Sequence, residues 1–444
     1  MIDVLKNSSF RSLFAAQVVA LVGTGLATVA LALLAYDLAG AEAGAVLGTA
    51  LAIKMIVYVT LAPVSAAVVS PAWRKRVLIA LDLVRAAAAL TLPFVTEIWQ
   101  VYILIALLQS ASACFTPLFQ SLIPEILKDE KDYTKALSLS RLAYDLESLL
   151  SPALAAALLT LISFHGLFAG TSVGFVLSAM LVLSTAFPLT VDKRGDDGPY
   201  ARAIRGMRIY LRTPRLRGLL ALNLVAAAGG SLVFVNTVVV VRSVLHGGER
   251  EVAWALAAFG IGSMAVAMLL PRVLDRTSDR RVMLTGAALM CMVLVGLLGA
   301  WIALRGAVNW FVIIPVWVLL GMAYAGLVTP GGRLLRRSAD SADLPFLFAA
   351  QFSLSHVCWL IAYPLAGMVG AKWGMPVAIA ALTSVAVIGL LAAWCSWPKA
   401  DPDELEHSHE DLPEEHPHWA EHGGALGKHS HRFVIDELHR RWPH

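Results

Sequence analysis

PRVLDRTSDRRVM, residues 271–283, decides how the rest of the chain is read. It is a short, cation-rich link between two apolar runs, approximately 252–271 and 282–304. Each run has about the 20 apolar residues that a bilayer-crossing helix needs. The same pattern recurs at approximately 12–37, 44–69, 77–95, 100–122, 137–162, 166–188, 216–242, 308–330, 345–370 and 375–397, which makes twelve spans. Strands of a membrane barrel would alternate over about ten residues. The runs do not, so the spacing predicts helices.

Composition agrees. The 444 residues are 58% hydrophobic and 15% charged, with mean hydropathy +0.72. Soluble domains average roughly 45–50% apolar and about 25% charged. A soluble enzyme, a disordered chain and a nucleic-acid module are therefore excluded. The net charge of +4 matters less than its placement. One set of connectors holds Lys6, Arg11, Arg74, Lys75, Arg76, Lys128, Lys131, Lys135, the cations from Lys193 to Arg217, Arg272, Arg276, Arg280, Arg281, Arg333, Arg336 and Arg337. The opposite set holds Arg242, Arg250, Arg305 and Lys372. Cations stay on the cytoplasmic side, so both termini are expected there, in a bacterial cytoplasmic membrane. The run from Leu13 to Leu38 exceeds a signal-peptide core and reads as a retained first span. Cys114, Cys291, Cys358 and Cys395 sit in apolar stretches at no metal or disulfide spacing, and read as buried thiols.

The chain repeats itself weakly. LLQSASACFTP (Leu107–Pro117) resembles LLGMAYAGLVTP (Leu319–Pro330), and Pro152 and Pro364 are 212 residues apart. RKRVL (Arg74–Leu78) matches DRRVM (Asp279–Met283) at an offset of 205. Two six-helix halves are predicted, 1–189 and 216–398, joined by a cytoplasmic linker, 190–215, and followed by a tail, 399–444. A ligand site is expected near the midplane between such repeats. The linker sequence ARAIRGMRIYLRTP reads as an amphipathic helix lying on the inner leaflet.

At these residues the chain resembles the major facilitator superfamily. Its link resembles that superfamily's GxxxDRxGRR loop, with Asp275, Arg276, Arg280 and Arg281 in place and Pro271 where Gly is usual. The resemblance implies that the Asp caps a neighbouring helix and the cations meet a carboxylate across a gate. The first-half copy, SAAVVSPAWRKR, lacks the Asp. ESLLSPALAA (Glu147–Ala156) is similar to the antiporters' GxxxGPxxGG stretch, and PLFQSLIPEILKDEKDYTKALSLSR to the drug-proton antiporter branch, which implies export. Spans one, four, seven and ten would line the path, bringing Gln17, Thr24, Gln109, Ser112, Cys114, Asn223, Asn236 and Tyr324 to it.

Ionisable groups inside lipid cost about 2.5–3.5 kcal/mol on insertion scales and should face a cavity or a partner. Arg141 and Asp145 are spaced i,i+4 and can pair. Glu147 lies about 200° around the helix from Asp145. It is the candidate proton carrier, with Asp145 a fixed countercharge. Lys54, mid-span in LAIKMIVYV, is a candidate coupling cation or anion ligand. Asp82 and Arg85 read as a local i,i+3 salt bridge. His356 is a candidate ligand or proton group, against the alternative of a hydrogen-bonded structural histidine.

After Pro398 the composition changes. Nine of the twelve His lie in 401–444. HxH pairs occur at His407/His409, His416/His418 and His429/His431, with His422 between. Neutral imidazoles favour Ni, Co, Cu, Zn or Fe, and a charged or pH-responsive tail is the competing reading. Phe433, Val434, Leu438 and Trp442 have roughly helical spacing, as if to dock on the membrane or the transporter. The tail makes the chain resemble bacterial nickel-resistance permeases. The leading expectation is a proton-coupled exporter of divalent metal ions, nickel or cobalt, working as a monomer without a cofactor. Export of an organic compound such as an iron chelate, siderophore or drug is the first alternative, and a non-transporting metal sensor the second. No Walker motif or catalytic constellation is evident, so neither ATP-driven pumping nor enzymatic activity is expected.

Overall fold

The computed structural model describes residues 2–69, 73–127, 129, 132, 135–136, 139–140, 143, 147, 151, 154–185, 199–340, 343–402, 404–408, 428–435, 438–439 and 442. Arg141, Asp145, Pro152, His409, His416, His418 and His422 lie outside them.

Within lipid every backbone polar group must be satisfied inside its own segment, which leaves helices as the solution for these runs. The spans are Ser8–Ala39, Ala43–Val68, Arg74–Thr91, Ile98–Ile126, a fifth whose described residues from 132 to 158 are helical, Phe164–Ser184, Pro214–Val239, Glu249–Leu274, Asp279–Ala303, Trp310–Val328, Leu344–Pro364 and Met375–Ser396. Local chemistry sets several starts. Asn7 accepts from the Phe10 amide, Ser278 from Arg281 and Asn309 from Val312, each satisfying an orphan donor of the first turn. Glu97 and Gln100 close a capping box at the fourth span.

The six-helix duplication is visible in which helices touch. Span one packs on six, three on six, three on four and two on four. In the second half seven packs on twelve, nine on twelve, nine on ten and eight on ten. Close approaches use glycine. A Cβ at Gly262 would strike the Val318 carbonyl, and one at Gly321 the Phe259 carbonyl, so spans eight and ten pack backbone to backbone.

The halves meet at the end of the bundle opposite the chain termini. Tyr36 Oη lies 3.0 Å from Ser243 Oγ, and the Arg242 guanidinium sits 5.1 Å over the Tyr36 ring. Arg250 Nε donates to the Leu159 carbonyl at 3.1 Å and Nη2 to Thr160 at 3.3 Å. Spans two and eleven close there too. A Cβ at Gly48 would come within 2.8 Å of the Tyr363 carbonyl, and one at Gly367 would strike the Gly44 carbonyl. A superficial pocket of about 500 Å³ lies at this mouth, lined by 159–163 and 248–251.

The linker forms the expected helix, Pro199–Arg212, and packs on span eleven. Arg205 pairs with Asp343 (Nε–Oδ1 2.7 Å), Gly206 lets the backbone approach the Phe346 carbonyl, and Tyr210 donates to Gln351. Burial pushes the Tyr210 phenol well above its ordinary range, which keeps it a donor. The tail also docks on protein. Strands β1 (Glu404–Ser408) and β2 (Lys428–Arg432) pair antiparallel, with His407 opposite His429. The described residues from 433 to 442 are not helical. Phe433 and Ile435 are instead buried against the bundle, and Trp442 stacks over buried Arg215 at 5.2 Å, which also meets Asp401 at 3.4 Å.

Candidate transport site

About 9 Å along span two from the Gly48 contact, at 1.5 Å per residue, lies Lys54. Its Nζ is 5.8 Å from the centroid of Tyr58, one turn on. Tyr58 stacks on His356 of span eleven at 5.3 Å and 9°, and lies 5.8 Å from Phe352. His356 Nδ1 is 2.6 Å from the Phe352 carbonyl. A carbonyl only accepts, so Nδ1 carries the proton and Nε2 is left for another partner. One layered group thus spans both halves.

Glu147 enters from the fifth span. Its Oε1 lies against Gly25 of span one, beside Ser151, with which it shares a hydrogen bond. Glu147 and Lys54 are within electrostatic reach of each other, and among the described residues no carboxylate comes within 4.0 Å of Lys54. The structure therefore brings together Lys54, Glu147 and His356. Asp145 and Arg141 lie outside the described residues.

The other path residues are more dispersed. Gln109 is 7% exposed and Asn223 9%, and among the described residues neither the Gln109 Oε1 nor the Asn223 Nδ2 has a hydrogen-bond partner. Cys114 is half-buried. Tyr324 belongs to an aromatic group, 6.3 Å from Trp359 and 5.5 Å from Phe259. Sequence reasoning passed over Tyr58, Phe234, Phe352, Trp359 and Ser151. The signal was present for span eleven, because Phe352, His356, Trp359 and Tyr363 recur at helical spacing along one face.

In the link of residues 271–283 the buried carboxylate is Asp279, 3% exposed, held by Arg337 Nη1 at 2.8 Å and Arg333 Nε at 3.5 Å. Asp275 follows span eight and donates its backbone amide to the Pro271 carbonyl at 3.1 Å. The Arg276 amide donates to Val273, and the Arg281 amide meets Ser278 Oγ. Arg280 reaches the Trp397 carbonyl at 3.0 Å and lies 5.2 Å over the Trp394 ring.

Among the described residues no group of three or more His, Cys, Asp or Glu is arranged to hold a metal ion. His429 and His431 present stacked ring faces to each other, with centroids 5.1 Å apart. Of His407 only the backbone is described.

The chain matches the Major Facilitator Superfamily over residues 13–246 and 219–435. A curated relative, the uncharacterized MFS-type transporter YfiS of Bacillus subtilis (strain 168), is 24% identical over 221 residues, 48% of this chain and 52% of that one. The match thus spans about half the length of that relative. Solved structures of similar shape include the nucleoside transporter NupG (TM-score 0.65, 12% identity, 88% of this chain and 100% of that one). A D-xylose-proton symporter (0.64, 14%, 88% and 97%) has a similar shape. So does a bacterial homologue of the human lysosomal transporter Spinster in an inward-facing, unoccupied conformation (0.64, 11%, 88% and 98%). Identities this low speak for fold alone. With the duplicated helix packing and two family matches that together span most of its length, this multi-pass membrane protein belongs to the Major Facilitator Superfamily of transporters.

Proposed function

We propose that the chain is a proton-coupled secondary exporter working by alternating access, with Glu147 as the proton carrier, Lys54 its countercharge, and a small organic compound as cargo. The carrying observation is the Lys54–Tyr58–His356–Phe352 stack across spans two and eleven, with Glu147 in electrostatic reach. A site with a lysine and several rings suits an organic anion. A divalent cation about 6 Å from Lys54 would meet repulsion of about 5.5 kcal/mol at an effective dielectric constant near 20. Halves 1–189 and 216–398 would rock about this level, joined by 190–215. Export and a drug-proton antiporter ancestry rest on the resemblance at 117–141. Cytoplasmic termini in a bacterial inner membrane rest on the cation asymmetry of the connectors.

A second reading, export of nickel or cobalt, is favoured by the nine histidines of 401–444. A growth-inhibition panel separates the two in a host lacking its own exporters, using Ni²⁺, Co²⁺ and toxic organic acids, with and without residues 401–444. Protection against organic acids that survives tail deletion supports the first reading. Protection confined to the metals and lost with the tail supports the second. Proton coupling is tested in proteoliposomes with the cargo so found. Glu147→Gln should cut pH-gradient-driven flux at least tenfold, about 1.4 kcal/mol, while substrate counterflow persists. Undiminished gradient-driven flux would remove Glu147 from the mechanism, and no flux of any cargo would leave the sensor reading.

A further inference from the structure

Phe234, Tyr324 and Trp359 come from spans seven, ten and eleven and form three sides of a box. Trp359 lies 6.0 Å from Phe234 at 40° and 6.3 Å from Tyr324 at 63°. Behind them Phe259 and Tyr363 are buried, but these three rings are each half-buried. The open face of Phe234 does not look out to lipid. Span seven has no exposed residue from Gly218 to Val239, so the accessible face of Phe234 opens inward. Gly230 abuts the outer edge of the Trp359 ring, where a Cβ would collide with its tip. The absence of a side chain at Gly230 thus leaves room for the indole between spans seven and eleven. Trp359 follows His356 by three residues, so the box adjoins the stack that leads to Lys54.

We propose that this space is the substrate site and that it takes a flat aromatic organic acid, with the ring system among Trp359, Tyr324 and Phe234 and the acid group toward Lys54. The proposal rests on the organic-cargo reading above and adds its chemistry. Aromatic faces and edges select for a π system over a saturated ring of the same outline. A lysine in a site screened from water selects for a carboxylate over its neutral amide.

The test is binding to the purified full-length protein in detergent, by calorimetry and thermal shift. The probes are naphthalene-2-carboxylate, its decahydro analogue and naphthalene-2-carboxamide. The aromatic acid should bind about tenfold more tightly than either analogue, about 1.4 kcal/mol in each comparison. Trp359→Leu should erase the preference for the aromatic over the saturated acid and leave the preference for acid over amide. Lys54→Met should do the reverse, and Lys54→Arg should retain both. Equal affinity for the aromatic and saturated acids overturns the proposal, as does no binding by any probe, or an aromatic preference that survives Trp359→Leu. Binding in detergent involves no pH gradient, so failure of this site and failure of proton coupling are read separately.

Discussion

The two halves hold the same socket and fill it with opposite chemistry. An offset of 205 residues carries Gly25 to Gly230, and the offset of 212 carries Glu147 to Trp359. In the first half a Cβ at Gly25 would strike Ser151 and come within 2.9 Å of Glu147 Oε1. In the second a Cβ at Gly230 would strike the Trp359 ring. The offset of 205 also carries Lys54 to Phe259, so a pair of opposite charges in one half answers a group of rings in the other. The same trade recurs in the third span. Asp82 and Arg85 form a buried ion pair there, with the guanidinium between Phe115 and Phe175 at 4.2 and 4.4 Å. The equivalent second-half residues are Ala287 and Met290, both fully buried. At these positions the duplicated backbone geometry carries ionisable groups in the first half and apolar ones in the second.

If the third-span ion pair is structural, the second half supplies its replacement. Asp82→Ala alone leaves Arg85 charged and buried, and should cost about 3–5 kcal/mol of stability. The double variant Asp82→Ala with Arg85→Met copies the second half and should recover most of that loss, because apolar side chains of similar volume often replace a buried pair at little cost. Thermal unfolding in detergent reads both. A double variant as unstable as the single one would break the equivalence drawn between the halves.

The glycine sockets sharpen it further. Gly25→Ala and Gly230→Ala each force a side chain to move, at about 1–3 kcal/mol for overpacking. Their functional effects should differ in kind. Gly25→Ala displaces Glu147 and Ser151 and should weaken the dependence of flux on an imposed pH gradient. Gly230→Ala displaces Trp359 and should raise the substrate KM with little change in gradient dependence. Indistinguishable kinetic defects in the two variants would show that the chemical asymmetry has no mechanistic counterpart.

How much of this was legible in the sequence varies with the signal. The spans follow from length and apolarity, which the bilayer imposes on any helix crossing it. Lys54, Glu147 and His356 stand out because ionisable groups in apolar runs are costly. Tyr58, Phe234 and Trp359 do not, since a ring in an apolar run carries no such penalty. The carboxylate held by two arginines is Asp279, which the loop pattern did not single out beside Asp275. Both flank the same turn, and only burial separates them. The linker helix was legible as amphipathic, but amphipathicity does not say whether its apolar face meets lipid or protein. Gly206, where a Cβ would strike the Phe346 carbonyl, was the missed clue. The tail's spacing of Phe433, Val434, Leu438 and Trp442 suggested a helix. Burial of the consecutive residues Phe433, Val434 and Ile435, the first and last of them against the bundle, overrides that period.

The smallest expected effect tests the part of the duplication that kept its chemistry. Lys75 Nζ lies 2.8 Å from the carbonyl of Thr185, just past span six, and Arg280 Nε lies 3.0 Å from that of Trp397, just past span twelve. The two cations are 205 residues apart and their carbonyls 212 apart, matching the offsets of the repeat. A cation at a helix C-terminus contributes about 0.3–1 kcal/mol. Lys75→Met and Arg280→Met should therefore each lower stability by about that much, with Arg280→Met the larger because its guanidinium also covers Trp394. Raising the salt concentration should shrink both losses, since the charges are partly exposed. Asp279 replaces Arg74 at the adjoining position, so the cap is symmetric while its neighbour is reversed in sign. A salt-independent loss at Arg280 beside a salt-dependent one at Lys75 would mean that Trp394 stacking, rather than the shared carbonyl contact, holds the second-half cation in place.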